Sequence, residues 1–123
     1  AVVKGSRERW FSPGFADREP AAVEALIEAL RMADDESYAL ACEALAEFDL
    51  RERLPQISRP LALIAGRDDV ATPIADAQTI VNAVPGAQLT ILDNVAHLAP
   101  IEAPDRVAAI LNNWPPATLE STA

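Results

Sequence analysis

The chain has 123 residues, half of them hydrophobic, which suits one small globular domain with a buried core. Its 10 basic and 19 acidic side chains give a net charge of −9, which repels nucleic acids and anionic membranes. One cysteine and one histidine exclude an internal disulfide, a cysteine-based zinc site and a multi-histidine metal site. No apolar run approaches the roughly 18 residues of a membrane span, and no secretory signal is visible, so we expect a cytoplasmic protein.

Two amphipathic helices are predicted in the acidic first part of the chain. Ten acidic residues but only two arginines lie within 17–49. Apolar residues recur there at helical spacing, within 23–30 and again within 41–48. The polar link 33–37 supplies turn and cap residues between them. We interpret the acids as a solvated helix surface and Cys42 as a packed side chain.

A second pattern begins after residue 50, where strands alternate with helices. The apolar run 61–65 is bounded by proline and glycine, which is typical of a buried strand. A helix is predicted to start at Pro73, with Thr72 as its cap. A short strand, 88–92, and a final helix, 104–114, follow.

This order predicts two parallel strands whose carboxyl ends meet at one edge, where such sheets bind ligands. A parallel sheet needs cover on both faces and has more strands than two. We therefore expect the rest of the fold to lie outside this sequence.

A candidate acid and a candidate base end the two predicted strands. The loop 66–69 (GRDD) follows the first strand, and the loop 93–97 (DNVAH) follows the second. In a catalytic triad the acid orients a histidine, which takes a proton from a serine. Asp69 and His97, 28 residues apart, match the last two members of the order serine, acid, histidine known for α/β-hydrolases.

Three stretches carry a more specific resemblance: RWFSPGF at 9–15, FDLRERLPQISRPLALIAGRDDVATP at 48–73 and AHLAPIEAPDRV at 96–107. Through them the chain resembles the C-terminal part of an α/β-hydrolase, most of all the 3-oxoadipate enol-lactonase group. The fold class this implies is α/β, with a helical cap, or lid, followed by two parallel strands with helices. We expect the lid in residues 1–50, part of the hydrolase core in 51–116 and a disordered tail in 117–123.

The resemblance implies a role for several loop residues. Asp69, three positions after Gly66, would be the catalytic acid, and His97 the catalytic base. Asp68 is the rival acid, which we interpret as a loop-capping residue. The family commonly has glycine where this chain has Ala96, a change that is tolerated if the backbone there does not have a positive φ.

Trp10 and Arg9 are the candidate substrate-lining residues at the start of the lid. A bulky aromatic there belongs either to the lid core or to the substrate wall, and the resemblance favours the wall for Trp10. Arg7 or Arg9 would offset the repulsion between an acidic lid and the carboxylate of an enol-lactone. The alternative is a salt bridge to a lid acid.

No serine of the chain stands in the GxSxG pattern of a nucleophile elbow. The serines are Ser6, Ser12, Ser37, Ser58 and Ser121. In the family the elbow and the oxyanion hole precede the lid. We therefore expect the chain to be inactive alone and to need an N-terminal half of the fold, from the same gene or a split partner, or else to self-associate.

The expected function is hydrolysis of a small ester or lactone by a serine hydrolase that needs no cofactor or metal. The resemblance favours the enol-lactone that opens to 3-oxoadipate in aromatic degradation, through the β-ketoadipate pathway. The alternatives are carboxylesterase, haloperoxidase-like perhydrolase or C–C hydrolase chemistry, since one fold hosts many reactions. A non-catalytic interaction module that pairs through an open sheet edge is the alternative from another class.

Overall fold

The computed structural model describes residues 2–114. The predicted tail 117–123 lies outside the described residues, as does the end of the predicted core segment. In chain order the elements are α1 (Val2–Trp10), α2 (Pro13–Arg18), α3 (Pro20–Arg31), α4 (Asp35–Glu47), a 3₁₀ helix (Arg51–Gln56), β1 (Ala62–Gly66), α5 (Ile74–Ala83), β2 (Gln88–Leu92), α6 (Ala99–Glu102) and α7 (Pro104–Asn112).

Residues 2–47, hereafter the helical segment, contain four helices rather than the two that were predicted. Helix α3 begins with a proline in its first turn, and α4 begins where the carboxylate of Asp34 accepts the N–H of Ser37 at 2.8 Å. These two helices match the predicted ones. Helix α1 is mostly polar and α2 spans only six residues, so apolar periodicity did not reveal them.

The core of the helical segment is aromatic and lies among α1, α2 and α3. Phe11, Phe15, Val23 and Ile27 are buried together, and the rings of Phe11 and Phe15 stack with centroids 5.8 Å apart. Helix α4 contributes no buried residue, so the prediction that Cys42 is packed was wrong: it is exposed. Large apolar side chains in α4 and directly after it are exposed too: Leu40, Leu45 and Phe48.

The two strands form a parallel sheet in which Ala62 pairs with Gln88 and Gly66 with Leu92. Helix α5 connects them and packs on both. The second strand lies where it was predicted, and the first begins and ends one residue later. The prediction that the first strand is buried was wrong, because residues 62–65 are only half-buried. Only the last residue of each strand, Gly66 and Leu92, is buried.

The helices after each strand differ in detail from the prediction. Helix α5 begins at Ile74 without a side-chain cap, so the capping role predicted for Thr72 was wrong. The hydroxyl of Thr72 donates to the carboxylate of Asp69 instead. The final helix begins at Pro104 as predicted but ends at Asn112. The short helix α6 precedes it and helps to form a second core, made of Leu92, Val95, Ala99 and Ala103.

Candidate active site

The loops that follow β1 and β2 are joined by their backbones. The N–H of Asp68 donates to the carbonyl of Val95 at 2.9 Å. Gly66 makes this approach possible, because a Cβ at that position would overlap the carbonyl oxygens of Val95 and Ala96. The glycine at the end of β1 therefore lets the acid-bearing loop lie directly against the histidine-bearing loop.

The loop after β2 contains a residue with a left-handed backbone conformation. Asn94 has a φ of 58°, and asparagine tolerates this left-handed conformation better than most residues. Among residues 2–114 no other non-glycine residue has a positive φ, so Ala96 has an ordinary backbone. This meets the condition under which alanine can replace the glycine common at that position.

The structure brings the two sequence-predicted residues Asp69 and His97 into contact. Nδ1 of His97 lies 2.9 Å from Oδ2 of Asp69. The side chain of Asp69 is 7% exposed and that of His97 is 32% exposed, so the acid is enclosed while the imidazole remains accessible. The same carboxylate accepts the N–H groups of Ala71 at 2.8 Å and Thr72 at 2.9 Å, and the hydroxyl of Thr72 at 2.8 Å.

These contacts set the charge of Asp69. Burial by itself would raise the pKa of the Asp69 carboxyl. The hydrogen bonds from the Thr72 N–H, the His97 ring, the Thr72 hydroxyl and the Ala71 N–H outweigh that effect, and the net result is a pKa below the ordinary value of 3.8. Asp69 is therefore ionised at neutral pH.

The charge of Asp69 in turn fixes the tautomer of His97. An ionised carboxylate only accepts hydrogen bonds, so Nδ1 of His97 must carry the proton between the two residues. In the neutral ring Nε2 then has a free lone pair. That arrangement is the one in which a histidine can take a proton from a nucleophile while the acid stabilises the resulting imidazolium.

Glu102 contacts the same loop, and the reasoning from sequence gave it no role. Its Oε1 accepts the N–H of Ala96 at 2.9 Å. Its Oε2 accepts the N–H of Ser12 at 3.1 Å and also the hydroxyl of Ser12. The available signal was the position of Glu102 within the quoted stretch 96–107, shortly after the histidine.

No family model matches the chain. In Acinetobacter baylyi, 3-oxoadipate enol-lactonase 2 is 38% identical over 103 residues, which are 84% of this chain and 38% of that protein. Its 3-oxoadipate enol-lactonase 1 is 33% identical over 113 residues, 92% of this chain and 42% of that protein. The crystal structure of the enol-lactonase from Burkholderia xenovorans LB400 superposes with a TM-score of 0.87 at 28% identity, covering 91% of this chain and 43% of that one.

The chain is the C-terminal part of an α/β-hydrolase fold. It is similar in sequence to 3-oxoadipate enol-lactonases, and it spans about two fifths of the length of these two lactonases. This agrees with the fold class and the resemblance inferred from the sequence.

Trp10 lies beside the histidine loop of the hydrolase fold but belongs to the aromatic core. It is half-buried, packs on the buried cluster and meets Phe11 edge to face, with ring centroids 6.5 Å apart. Its carbonyl accepts the N–H of Leu98 at 3.3 Å. The substrate-lining role of Trp10 stays a prediction.

Arg9 and Asp68 are both exposed in the hydrolase fold. The guanidinium of Arg9 donates to the hydroxyl of Ser6 at 3.4 Å, within its own helix. Within residues 2–114 neither Arg7 nor Arg9 forms an ion pair with an acid of the helical segment, so the salt-bridge alternative was wrong. The loop-capping role predicted for Asp68 belongs to Asp69, whose carboxylate accepts the N–H groups of Ala71 and Thr72.

In the described part of the chain, no group of three or more histidine, cysteine, aspartate or glutamate side chains is placed to hold a metal ion. None of the helices within residues 2–114 is long and apolar enough to cross a membrane.

Proposed function

We propose that this chain supplies the acid and the base of a serine hydrolase that acts on a small ester or lactone. The observation that carries the proposal is the 2.9 Å hydrogen bond between Nδ1 of His97 and Oδ2 of Asp69. The imidazole is accessible on one side and held by an ionised carboxylate on the other. General bases in acyl transfer have this environment.

The reaction proceeds in two steps, with the serine supplied by the N-terminal half of the fold. His97 accepts the serine proton at Nε2 as the oxygen attacks the substrate carbonyl, and returns that proton to the departing alkoxide or enolate as the acyl-enzyme forms. His97 then takes a proton from water, which attacks the acyl group, and gives it back to the serine as the acid product leaves. Asp69 stays ionised and stabilises the imidazolium in both steps.

The substrate proposed is the enol-lactone that opens to 3-oxoadipate, in aromatic degradation. Support comes from the relatives, two of which are 3-oxoadipate enol-lactonases. Carboxylesterase, perhydrolase and C–C hydrolase chemistry are the alternatives within the fold, because the lid and the other half select the substrate. Comparing rates on an enol-lactone, simple aryl esters, a peroxide-dependent substrate and a vinylogous diketone would separate them.

The proposed partner is the N-terminal half of the hydrolase fold. The chain spans 38% and 42% of the two lactonases, which leaves most of such a protein to be provided. The half-buried β1 and the exposed apolar residues of the predicted lid are surfaces that such a half would cover. A cytoplasmic location stays a prediction.

Mixing the chain with an N-terminal lactonase fragment that contains GxSxG tests the function. We expect hydrolysis of 3-oxoadipate enol-lactone by the mixture and none by either piece alone, since the proposal assigns the nucleophile and the oxyanion donors to the N-terminal half. His97→Ala should lower kcat by about 10²- to 10⁴-fold, the contribution of a general base. Undiminished hydrolysis by the His97→Ala mixture would end the assignment.

A non-catalytic interaction module is the second candidate, and the exposed apolar residues at the end of the helical segment favour it. The same mixing experiment separates the two. A stable complex, or a self-associated chain, that hydrolyses no ester or lactone would support the module.

A further inference from the structure

We propose that Glu102 is a positioning residue that holds the histidine loop against the helical segment; the inference rests on the catalytic role proposed for His97. Glu102 is half-buried at the end of α6, and within residues 2–114 its hydrogen bonds go to Ser12 and Ala96 and not to the imidazole. Glu102 would affect the reaction indirectly, by fixing the backbone directly before His97.

The Glu102 carboxylate joins two parts of the chain that are 90 residues apart in sequence. One oxygen accepts the N–H of Ala96, the residue before His97, at 2.9 Å. The other accepts both the N–H and the hydroxyl of Ser12, which is 4% exposed. The same Ser12 oxygen accepts the N–H of Phe15 and so caps α2. One side chain therefore ties the start of α2 to the histidine loop.

A second hydrogen bond fixes the other side of His97. The N–H of Leu98 donates to the carbonyl of Trp10 at 3.3 Å, and Leu98 packs on the aromatic core of the helical segment. The amides on both sides of His97 are thus bonded, one to Glu102 and one to Trp10. Both bonds lead to the same turn, residues 10–12, so the imidazole and this turn are held in one arrangement.

The chemistry of these contacts calls for a carboxylate. Each oxygen of Glu102 accepts a backbone N–H, from Ala96 and from Ser12. Glutamine has one oxygen and one NH₂ group, so it can accept only one of them and must turn a donor toward the other. Glu102→Gln is therefore a nearly isosteric change that breaks one side of the link.

Two measurements on Glu102→Gln test the proposal. His97 is the sole histidine, so the imidazole nitrogen NMR shifts of the full chain report its tautomer without assignment ambiguity. We expect the wild-type shifts to show a protonated Nδ1 and those of the variant to move toward a mixture of tautomers. In the mixture with the N-terminal fragment, kcat for the lactone should fall about 10- to 100-fold with KM changed less than about twofold.

The control is Asp105→Asn, which removes one exposed carboxylate from the next helix and should leave both readouts at wild-type values. A folded Glu102→Gln chain with wild-type nitrogen shifts and kcat would overturn the proposal, as would an equal change in Asp105→Asn. If Glu102→Gln does not fold, Glu102→Asp decides, because a side chain one methylene shorter cannot reach both Ala96 and Ser12: displaced nitrogen shifts support the link and wild-type shifts overturn it. If the wild-type mixture shows no hydrolysis, the proposed function fails while the NMR readout still decides the role of Glu102.

Discussion

Asp69 is the residue whose surroundings decide what the site can do. Its carboxylate is nearly enclosed and accepts hydrogen bonds from Ala71, Thr72 and His97. Donors aimed at the charged form lower the pKa of a carboxyl even where burial opposes it. An anion held in this way can keep the neighbouring imidazole in one tautomer.

The Thr72 hydroxyl should contribute to this effect, and Thr72→Val removes it while keeping the shape and the backbone N–H. Because the hydroxyl donates to the charged form, its loss should raise the pKa of Asp69, measurable by carbon NMR titration of that carboxyl. A hydrogen bond to a charged group contributes about 1.5–3 kcal/mol, so we expect kcat of the reconstituted hydrolase to fall on the order of tenfold.

Thr79→Val is the matched control, because the Thr79 hydroxyl donates to the carbonyl of Ala75 within its own exposed helix. It should leave the pKa of Asp69 unchanged. An identical Asp69 titration in wild type and Thr72→Val would show that the hydroxyl does not act on the acid.

The lowered pKa of Asp69 also predicts how stability depends on pH. The folded chain has a pKa below 3.8 for this group, so the ionised carboxylate adds stability above that pH, and the contribution disappears as pH falls through the folded pKa. The difference in unfolding free energy between wild type and Asp69→Asn should shrink as pH falls from about 5 toward the folded pKa of Asp69. Urea unfolding at a series of pH values measures this, and a difference that stays constant down to about pH 3 would contradict it.

At the scale of elements, the packing of the two loops depends on the last residue of β1. Gly66 faces the carbonyls of Val95 and Ala96, with no space for a side chain. The contact involves backbone on both sides, so neither partner can move aside as a flexible side chain would. The close packing of the loops that carry Asp69 and His97 thus depends on a glycine that has no side chain to take part in the reaction.

Gly66→Ala should therefore destabilise the chain by at least about 2 kcal/mol and lower its melting temperature, because the added methyl group forces the loops apart. Gly14→Ala is the control, since that glycine lies in α2 and its nearest neighbour is the flexible end of Arg18. Alanine there should be neutral or slightly stabilising. Equal melting temperatures for wild type and Gly66→Ala would refute the close-packed loop.

The same elements show what sequence could and could not reveal. Apolar periodicity and breakers placed β2, α3 and α4, and the loop ends placed Asp69 and His97 at one edge of the sheet. The link through Glu102 was missed because it joins positions 90 residues apart, which no local pattern encodes. Thr72 was predicted to cap a helix. Its hydrogen bond to Asp69 depends on the path of the loop after β1, which the sequence pattern does not encode.

At the scale of the whole molecule, the chain presents much apolar surface. Phe48, Leu45 and Leu111 are among its exposed large side chains, and β1 is half-buried although its sequence is typical of a strand covered on both faces. A structure that spans 38–42% of the two similar lactonases is expected to leave such surfaces. The sequence predicted a buried β1, because an apolar run of this kind is typical of a strand that is covered on both faces in a complete sheet.

We propose above all that the Asp69–His97 pair activates a serine provided by another stretch of polypeptide. Labelling by a fluorophosphonate, which reacts only with an activated serine, tests it most directly in the mixture with the N-terminal fragment. We expect the fragment's GxSxG serine to be labelled when the wild-type chain is present and to be labelled at least about 10²-fold more slowly with His97→Ala. Labelling at the same rate with the two chains would contradict the claim.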